Sequence, residues 1–276
     1  MFKRFLPILD WLPKYSKDQL QGDLSAGLTV GVMLIPQGMA YAMLAGLDPI
    51  HGLYAVTVPL MLYAVLGTSR QLAVGPVAMV SLLTAAGIGA LQPATPELYL
   101  LYALTAAFLV GIFQLAMGVF RLGFLVSLLS HPVISGFTSA AAIIIGLSQL
   151  KHLLRIDLPK SEHIQEMMIA LAKNIGNTHL LTLGIGLIAI VVIKYGKKIH
   201  KSLPTSLIAV MLGILAVWGL NLTEQGIKIV GEVPSGLPGL SAPSFDPAVW
   251  KSLLSVALTI SLVGFMESFA VAKAIQ

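Results

Sequence analysis

The chain contains no cysteine. Disulfides, thiolate catalysis and cysteine metal sites are therefore excluded. Its histidines, His51, His131, His152, His163, His179 and His200, fall outside metal-ligand spacing, so no metal is expected. Charge is scarce as well: Asp, Glu, Lys and Arg make up 11% of the 276 residues, where soluble domains carry roughly 25%. No nucleophile or cofactor motif is present, so an enzyme is the reading with least support and no cofactor is expected. The first residues do not read as a cleavable signal peptide either. Met1 to Gln21 carries Asp10, Lys14, Lys17 and Asp18 and reads as an amphipathic helix on the cytoplasmic face.

Apolar length is what the chain has in abundance. Hydrophobic residues make up 57% of it and its mean hydropathy is +0.89. A soluble core of this size cannot hide that much apolar surface, so lipid is the solvent. The formal net charge of +5 comes without an aromatic-interleaved basic patch, which excludes nucleic acid as a partner. Spans are predicted over Leu24–Leu47, Gly52–Leu66, Leu98–Phe120, Val133–Leu150, Leu180–Ile193, Leu207–Leu222 and Val249–Ile275. Val74–Leu91 is shorter and reads as a half-helix near 76–91. The broken apolar stretch Leu122–Leu129 precedes the fifth segment.

Charge orients these segments. With the N-terminus inside, Lys3, Arg4, Lys14, Lys17, Arg70, Arg121, Lys194, Lys197, Lys198, Lys201 and Lys273 fall inside. Lys151, Arg155, Lys160, Lys173, Lys228 and Lys251 fall outside, eleven against six. That is the direction of the positive-inside rule, so an inner (plasma) membrane protein with a cytoplasmic N-terminus is expected. The organisation predicted is a cytoplasmic amphipathic segment over 1–23, seven membrane segments over 24–222, an extracytoplasmic loop over 223–247 and an eighth segment over 248–276. The 151–177 loop is predicted to hold a short amphipathic helix, Glu162–Ala172. Seven segments per repeat would invert a second copy, so the eighth begins a second repeat. The sequence stops at Gln276, and a fragment of a larger transporter is expected.

Three constellations carry chemistry. Glu267 lies inside an apolar run, in Val263-Gly264-Phe265-Met266-Glu267-Ser268-Phe269. A carboxylate at membrane depth costs several kcal/mol, to order of magnitude, unless protonated, paired or wet. In Gln71-Leu72-Ala73-Val74-Gly75-Pro76-Val77-Ala78, residues 71–74 have strand character and Gly75-Pro76 fits a helix start. A helix beginning inside the membrane turns free N–H groups and its positive dipole end toward an anion. A kinked helix with a wet end is the alternative. Gln37 and Tyr41, at i and i+4, share a helix face, and a glutamine amide either donates to an oxyanion or joins helices. Pro36 breaks that helix's ladder. Gly38 lets another backbone approach, and Gly27, Gly31, Gly184 and Gly186 read as close-packing positions. Arg70 reads as a phosphate-level anchor, with added positive potential on the cytoplasmic side as the alternative.

Taken together, these motifs resemble the SulP family of anion permeases. Pro49-Ile50-His51-Gly52-Leu53-Tyr54-Ala55 followed by Gly67-Thr68-Ser69-Arg70 resembles the family signature, with His51 a departure from it. His131-Pro132-Val133-Ile134-Ser135-Gly136-Phe137-Thr138-Ser139-Ala140 is similar to the family's fifth span, and Val263–Ala274 to its eighth. The resemblance implies an all-α polytopic membrane fold of fourteen segments in two inverted repeats of seven, shared with uracil permeases. This chain would hold the first repeat plus the eighth segment. Val77 and Ala78 would then open the anion-binding half-helix, with Gln37 and Tyr41 from segment one and Glu267 from segment eight. Segments one to four with eight would form a moving core, and five to seven part of a gate. A homodimer is implied for the full-length parent.

The expected function is secondary active anion transport of sulfate-permease type, with elevator-like alternating access. Burial disfavours the charge of Glu267, so it can take up and release a proton. Sodium needs several oxygen ligands, and Val271, one turn on, offers none. The coupling ion is therefore expected to be a proton, and Glu267 the residue that carries it. A structural Glu paired with a base elsewhere is the alternative. Partners are thus an inorganic anion, sulfate or bicarbonate-like, a proton and the lipid bilayer. A sodium-coupled bicarbonate transporter, a nucleobase permease of the same fold and a non-functional truncated fragment are the competing readings.

Overall fold

The computed structural model describes residues 6–69, 72–122, 131–156, 164–199, 204–239 and 241–275, and every regular element among them is helical. In chain order these are α1 (Ile8–Trp11), α2 (Lys17–Leu44), α3 (Pro49–Ala55), α4 (Val58–Leu66), α5 (Ala78–Gly89), α6 (Pro96–Val119), α7 (His131–Leu154), α8 (Ile164–Asn174), α9 (Leu180–Ile199), α10 (Thr205–Gly219) and α11 (Pro247–Ile275). Four helical stretches, Lys17–Leu44, Pro49–Leu66, Pro96–Val119 and Pro247–Ser268, are long and apolar enough to cross a membrane. Helices α5 and α10 are shorter apolar helices.

Local chemistry sets the helix starts. Ser16 and Gln19 form a reciprocal capping box at the head of α2, with bonds of 3.2 and 3.0 Å. The predicted amphipathic N-terminal helix is therefore interrupted: α1 and a 3-10 turn end at Lys14, and Lys17 onward belongs to the first span. Nearby, the Tyr15 hydroxyl donates to Asp23, a bond that raises the phenol's pKa. The second predicted span also divides. Pro59 near the head of α4 has no N–H for the ladder, and the chain turns at residues 56–57. Thr95 caps α6 and Asp246 caps α11, each accepting a backbone N–H, at 3.2 and 2.8 Å.

Contacts divide the chain into two units. The first draws on Met1–Gly27, Leu34–Ser135 and Val233–Gln276. Its core is where α11 packs on α5 and α6, through Ile88, Ala103, Ala106, Leu109, Leu253 and Ala257. Small residues allow the close approach: a methyl at Gly87 would run into Val256. Polar bonds then fix the incoming loop. Thr105, fully buried, accepts the Ser244 N–H at 2.9 Å, and the Trp250 indole donates to the Ser244 carbonyl at 2.6 Å. Ser261, also buried, donates to Ala257 on its own helix at 2.7 Å and lies 3.4 Å from the Val110 carbonyl of α6. At the α2–α3 crossing, a methyl on Gly38 would lie 3.0 Å from the Gly52 carbonyl oxygen.

The second unit takes Leu28–Met33 and Gly136–Glu232. Within it α9 packs on α10, and Leu153 of α7 fills the notch at Gly186. The predicted amphipathic helix is α8, bent by 113° from the span that follows it. His179 heads α9. Thr182 N–H reaches His179 Nδ1 at 3.3 Å, so Nε2 carries the proton and donates to the Gln225 carbonyl at 3.0 Å. Gly27, Gly31 and Gly184 meet nothing within 4 Å among the described residues, so the close-packing reading holds for Gly38 and Gly186 and not for these three.

Candidate functional site

The site is built on the head of α5. Val77 is extended, at φ −125° and ψ 148°, and its side chain caps nothing. The first helical bond runs from Ser81 N to Val77 O at 3.0 Å. The N–H groups of Ala78, Met79 and Val80 therefore precede the ladder. The helix starts two residues later than Gly75-Pro76 suggested, because Val77 stays extended after the proline. The strand character read over 71–74 yields no strand in the described part: Leu72 to Val77 has no regular structure, and Gln71 lies outside the described residues, as does Arg70. Val74 and Val77 favour extended backbone there, but no strand among the described residues pairs with it.

Helix α11 delivers the carboxylate. Gly87 meets Val256, and a methyl at Gly264 would lie 3.9 Å from Val80 Cγ2. The α5 residue number falls as the α11 number rises, so the two helices run antiparallel. By helical rise, one further turn of α11 carries Glu267 past Val80 toward the start of α5. Glu267 is half-buried, and its Oε2 is shielded from solvent with no hydrogen-bond partner among the described residues. Such an oxygen is costly as a free charge, and a proton or a donor would relieve it.

Sequence reasoning missed Gln114. A methyl at Gly264 would lie 3.3 Å from Gln114 Nε2, so this amide of α6 sits over the glycine, one turn before Glu267. The available signal was that Gln114 is the one amide between Leu98 and Phe120. On α2, Gln37 Nε2 donates to Tyr41 Oη at 3.1 Å, so the expected shared face is real. Because the Tyr41 oxygen accepts that bond, its own O–H remains available to donate outward. The structure thus joins Gln37 to Tyr41, and brings the Glu267 turn alongside the head of α5. No hydrogen bond links the two pairs among the described residues. Also among the described residues, no group of three or more His, Asp or Glu side chains is placed to hold a metal.

Comparison with known proteins gives the arrangement a context. The profile described as the sulfate permease family matches residues 20–276. "Sulfate transporter 4.1, chloroplastic" of Arabidopsis thaliana is 43% identical over 98% of this chain and 40% of its own length. Prestin of Danio rerio is 34% identical, again over 98% of this chain and 40% of its own length. The chain therefore spans about two fifths of the length of these curated relatives. Among solved structures, SLC26A9 aligns at a TM-score of 0.89 with 29% identity, covering 99% of this chain and 46% of that one. The transmembrane domain of the cyanobacterial bicarbonate transporter BicA aligns at 0.80 with 27% identity, covering 95% and 68%. The fold is thus the all-α polytopic one expected, the first repeat of a 7+7 inverted-repeat transporter with the eighth segment following.

Proposed function

The chain belongs to the sulfate permease family, and on that premise we propose that it serves secondary active transport of an inorganic anion, sulfate before bicarbonate, coupled to protons through Glu267. The observation that carries this reading is the uncapped head of α5, toward which α11 carries a carboxylate. The N–H groups at Ala78 and Met79 and the helix dipole attract the anion. The Tyr41 hydroxyl and the second Gln37 N–H add neutral donors, polarised by the bond between them. A dianion held by neutral donors is repelled by an ionised Glu267. That repulsion is stronger in a low-dielectric site than in water, and a dianion feels it twice over. Protonating Glu267 removes that repulsion, so anion and proton enter together.

The division into two units supports an elevator-like motion. Segments one to four and eight fall chiefly in one unit, and five to seven in the other. The basic-residue asymmetry supports a cytoplasmic N-terminus in an inner (plasma) membrane, and the family resemblance supports a homodimer. Likeness to BicA favours bicarbonate as the second reading. The higher identity to a sulfate transporter weighs for sulfate.

Uptake of labelled sulfate, bicarbonate and uracil by the protein in vesicles, with pH and sodium varied, tests the assignment. Sulfate uptake stimulated by an inward proton gradient is expected. Uracil uptake alone would make it a nucleobase permease, sodium-dependent bicarbonate uptake would exchange both substrate and ion, and no uptake of any solute would leave a non-transporting chain.

A further inference from the structure

The last turns of α9 carry Lys194 and Lys198, whose Nζ atoms lie 5.5 and 5.2 Å from the centroid of the Tyr195 ring. One aromatic face region thus gathers two ammonium groups. Neither meets a carboxylate among the described residues, and the sequence has none between Glu166 and Glu224. Depth makes this more demanding. The apolar run from Leu180 to Ile193 rises roughly 20 Å, short of the roughly 30 Å hydrocarbon layer. Lys194, the first charge after that run, is thus expected at the edge of the acyl region, where a lysine extends its ammonium toward the headgroups. Tyr195 is 46% exposed, as an interfacial aromatic anchor requires.

Helix α10 begins at the same level. A methyl at Gly196 would lie 2.7 Å from Thr205 Cγ2, which packs the head of α10 against this turn of α9. The first α10 bond is Ile208 N to Pro204 O, so the N–H groups of Thr205, Ser206 and Leu207 precede the ladder. Thr205, 2% exposed, has a hydroxyl oxygen with no hydrogen-bond partner among the described residues. Two ammonium groups that meet no carboxylate among the described residues, beside a positive helix end, call for a fixed anion there. We propose that Lys194, Tyr195, Lys198 and the head of α10 form a site for the phosphate of an anionic bilayer lipid, distinct from the transport site in the other unit.

Lipid retention on the purified protein tests this. After reconstitution with a mixture of phosphatidylglycerol and phosphatidylcholine, retained lipid is counted by native mass spectrometry. Lys194→Gln with Lys198→Gln should lower retained phosphatidylglycerol by roughly five-fold per lysine, the effect of one basic residue at an anionic surface. The control Lys228→Gln with Lys251→Gln changes net charge equally and should change nothing. Equal losses in both pairs would mean bulk attraction and overturn the site. Millimolar inorganic phosphate should leave the lipid bound; displacement would assign an ion site instead. In the unaltered protein, phosphatidylglycerol with a photoreactive headgroup should label the peptide around Tyr195 to Lys198. Labelling only elsewhere would overturn the proposal even if the variants failed to fold.

Discussion

A methyl group at Gly87 probes the packing on which the placement of Glu267 depends. The position its Cβ would take meets both γ carbons of Val256, one of them at 2.8 Å, and the Val256 β carbon at 3.1 Å. Turning the valine about χ1 exchanges one γ carbon for the other and leaves the β carbon where it is. The helices must part or the valine must leave its rotamer, at about 1–3 kcal/mol. Alanine returns up to about 1 kcal/mol through helix propensity. The net loss reaches about 2 kcal/mol, a fall in Tm of about 4–8 °C for a chain of this size. Thermal unfolding of the purified protein, followed by the loss of helical circular dichroism, reads it. Val256→Ala removes both γ carbons, and the double variant should recover most of the loss, a coupling of about 2 kcal/mol. If Gly87→Ala is as stable as the parent, or if Val256→Ala repairs nothing, α5 and α11 do not meet at these residues. The placement of Glu267 toward the start of α5 would fall with that result.

Ala78→Trp should abolish sulfate uptake while expression and Tm persist, since bulk there blocks the N–H groups at the head of α5; unchanged uptake would put the anion elsewhere. Thr105→Val leaves the Ser244 N–H without its acceptor and should cost about 1–3 kcal/mol, read as a lowered Tm; a neutral result would mean the loop is held by other bonds. Gln114→Leu should alter the pH dependence of uptake more than the rate at its optimum, because the amide sits over the turn that precedes Glu267; a uniform loss at every pH would make Gln114 a packing residue. A cysteine in place of Ser161, which lies outside the described residues, should react with an impermeant thiol reagent from the extracytoplasmic side. Reaction only from the cytoplasm would reverse the orientation.

Most of the helices were legible because long apolar runs in a membrane chain fold as helices, which length and apolarity show without tertiary detail. Boundaries governed by proline were less so. Pro59 divides α3 from α4, and Val77 remains extended past Pro76, since each depends on how one residue's neighbours pack. The Gln37–Tyr41 pair followed from helical period, which fixes faces without knowledge of the partner. Gln114 did not, because its meaning comes from the register of α6 against α11, a tertiary property. The glycines divide for the same reason. Period cannot say that Gly38 faces a backbone while Gly31 faces none.

The central claim is that the Glu267 carboxyl couples a proton to anion entry, and sulfate flux through Glu267→Gln tests it most directly. Vesicles containing the parent or the variant receive an inward proton gradient, and accumulation of labelled sulfate is followed beside sulfate–sulfate exchange at equal pH. A glutamine is neutral at every pH, so it mimics the protonated carboxyl and cannot release its charge. Glu267→Gln should keep exchange and lose gradient-driven accumulation. Accumulation that persists in the variant, or that follows a sodium gradient in the parent, would contradict it.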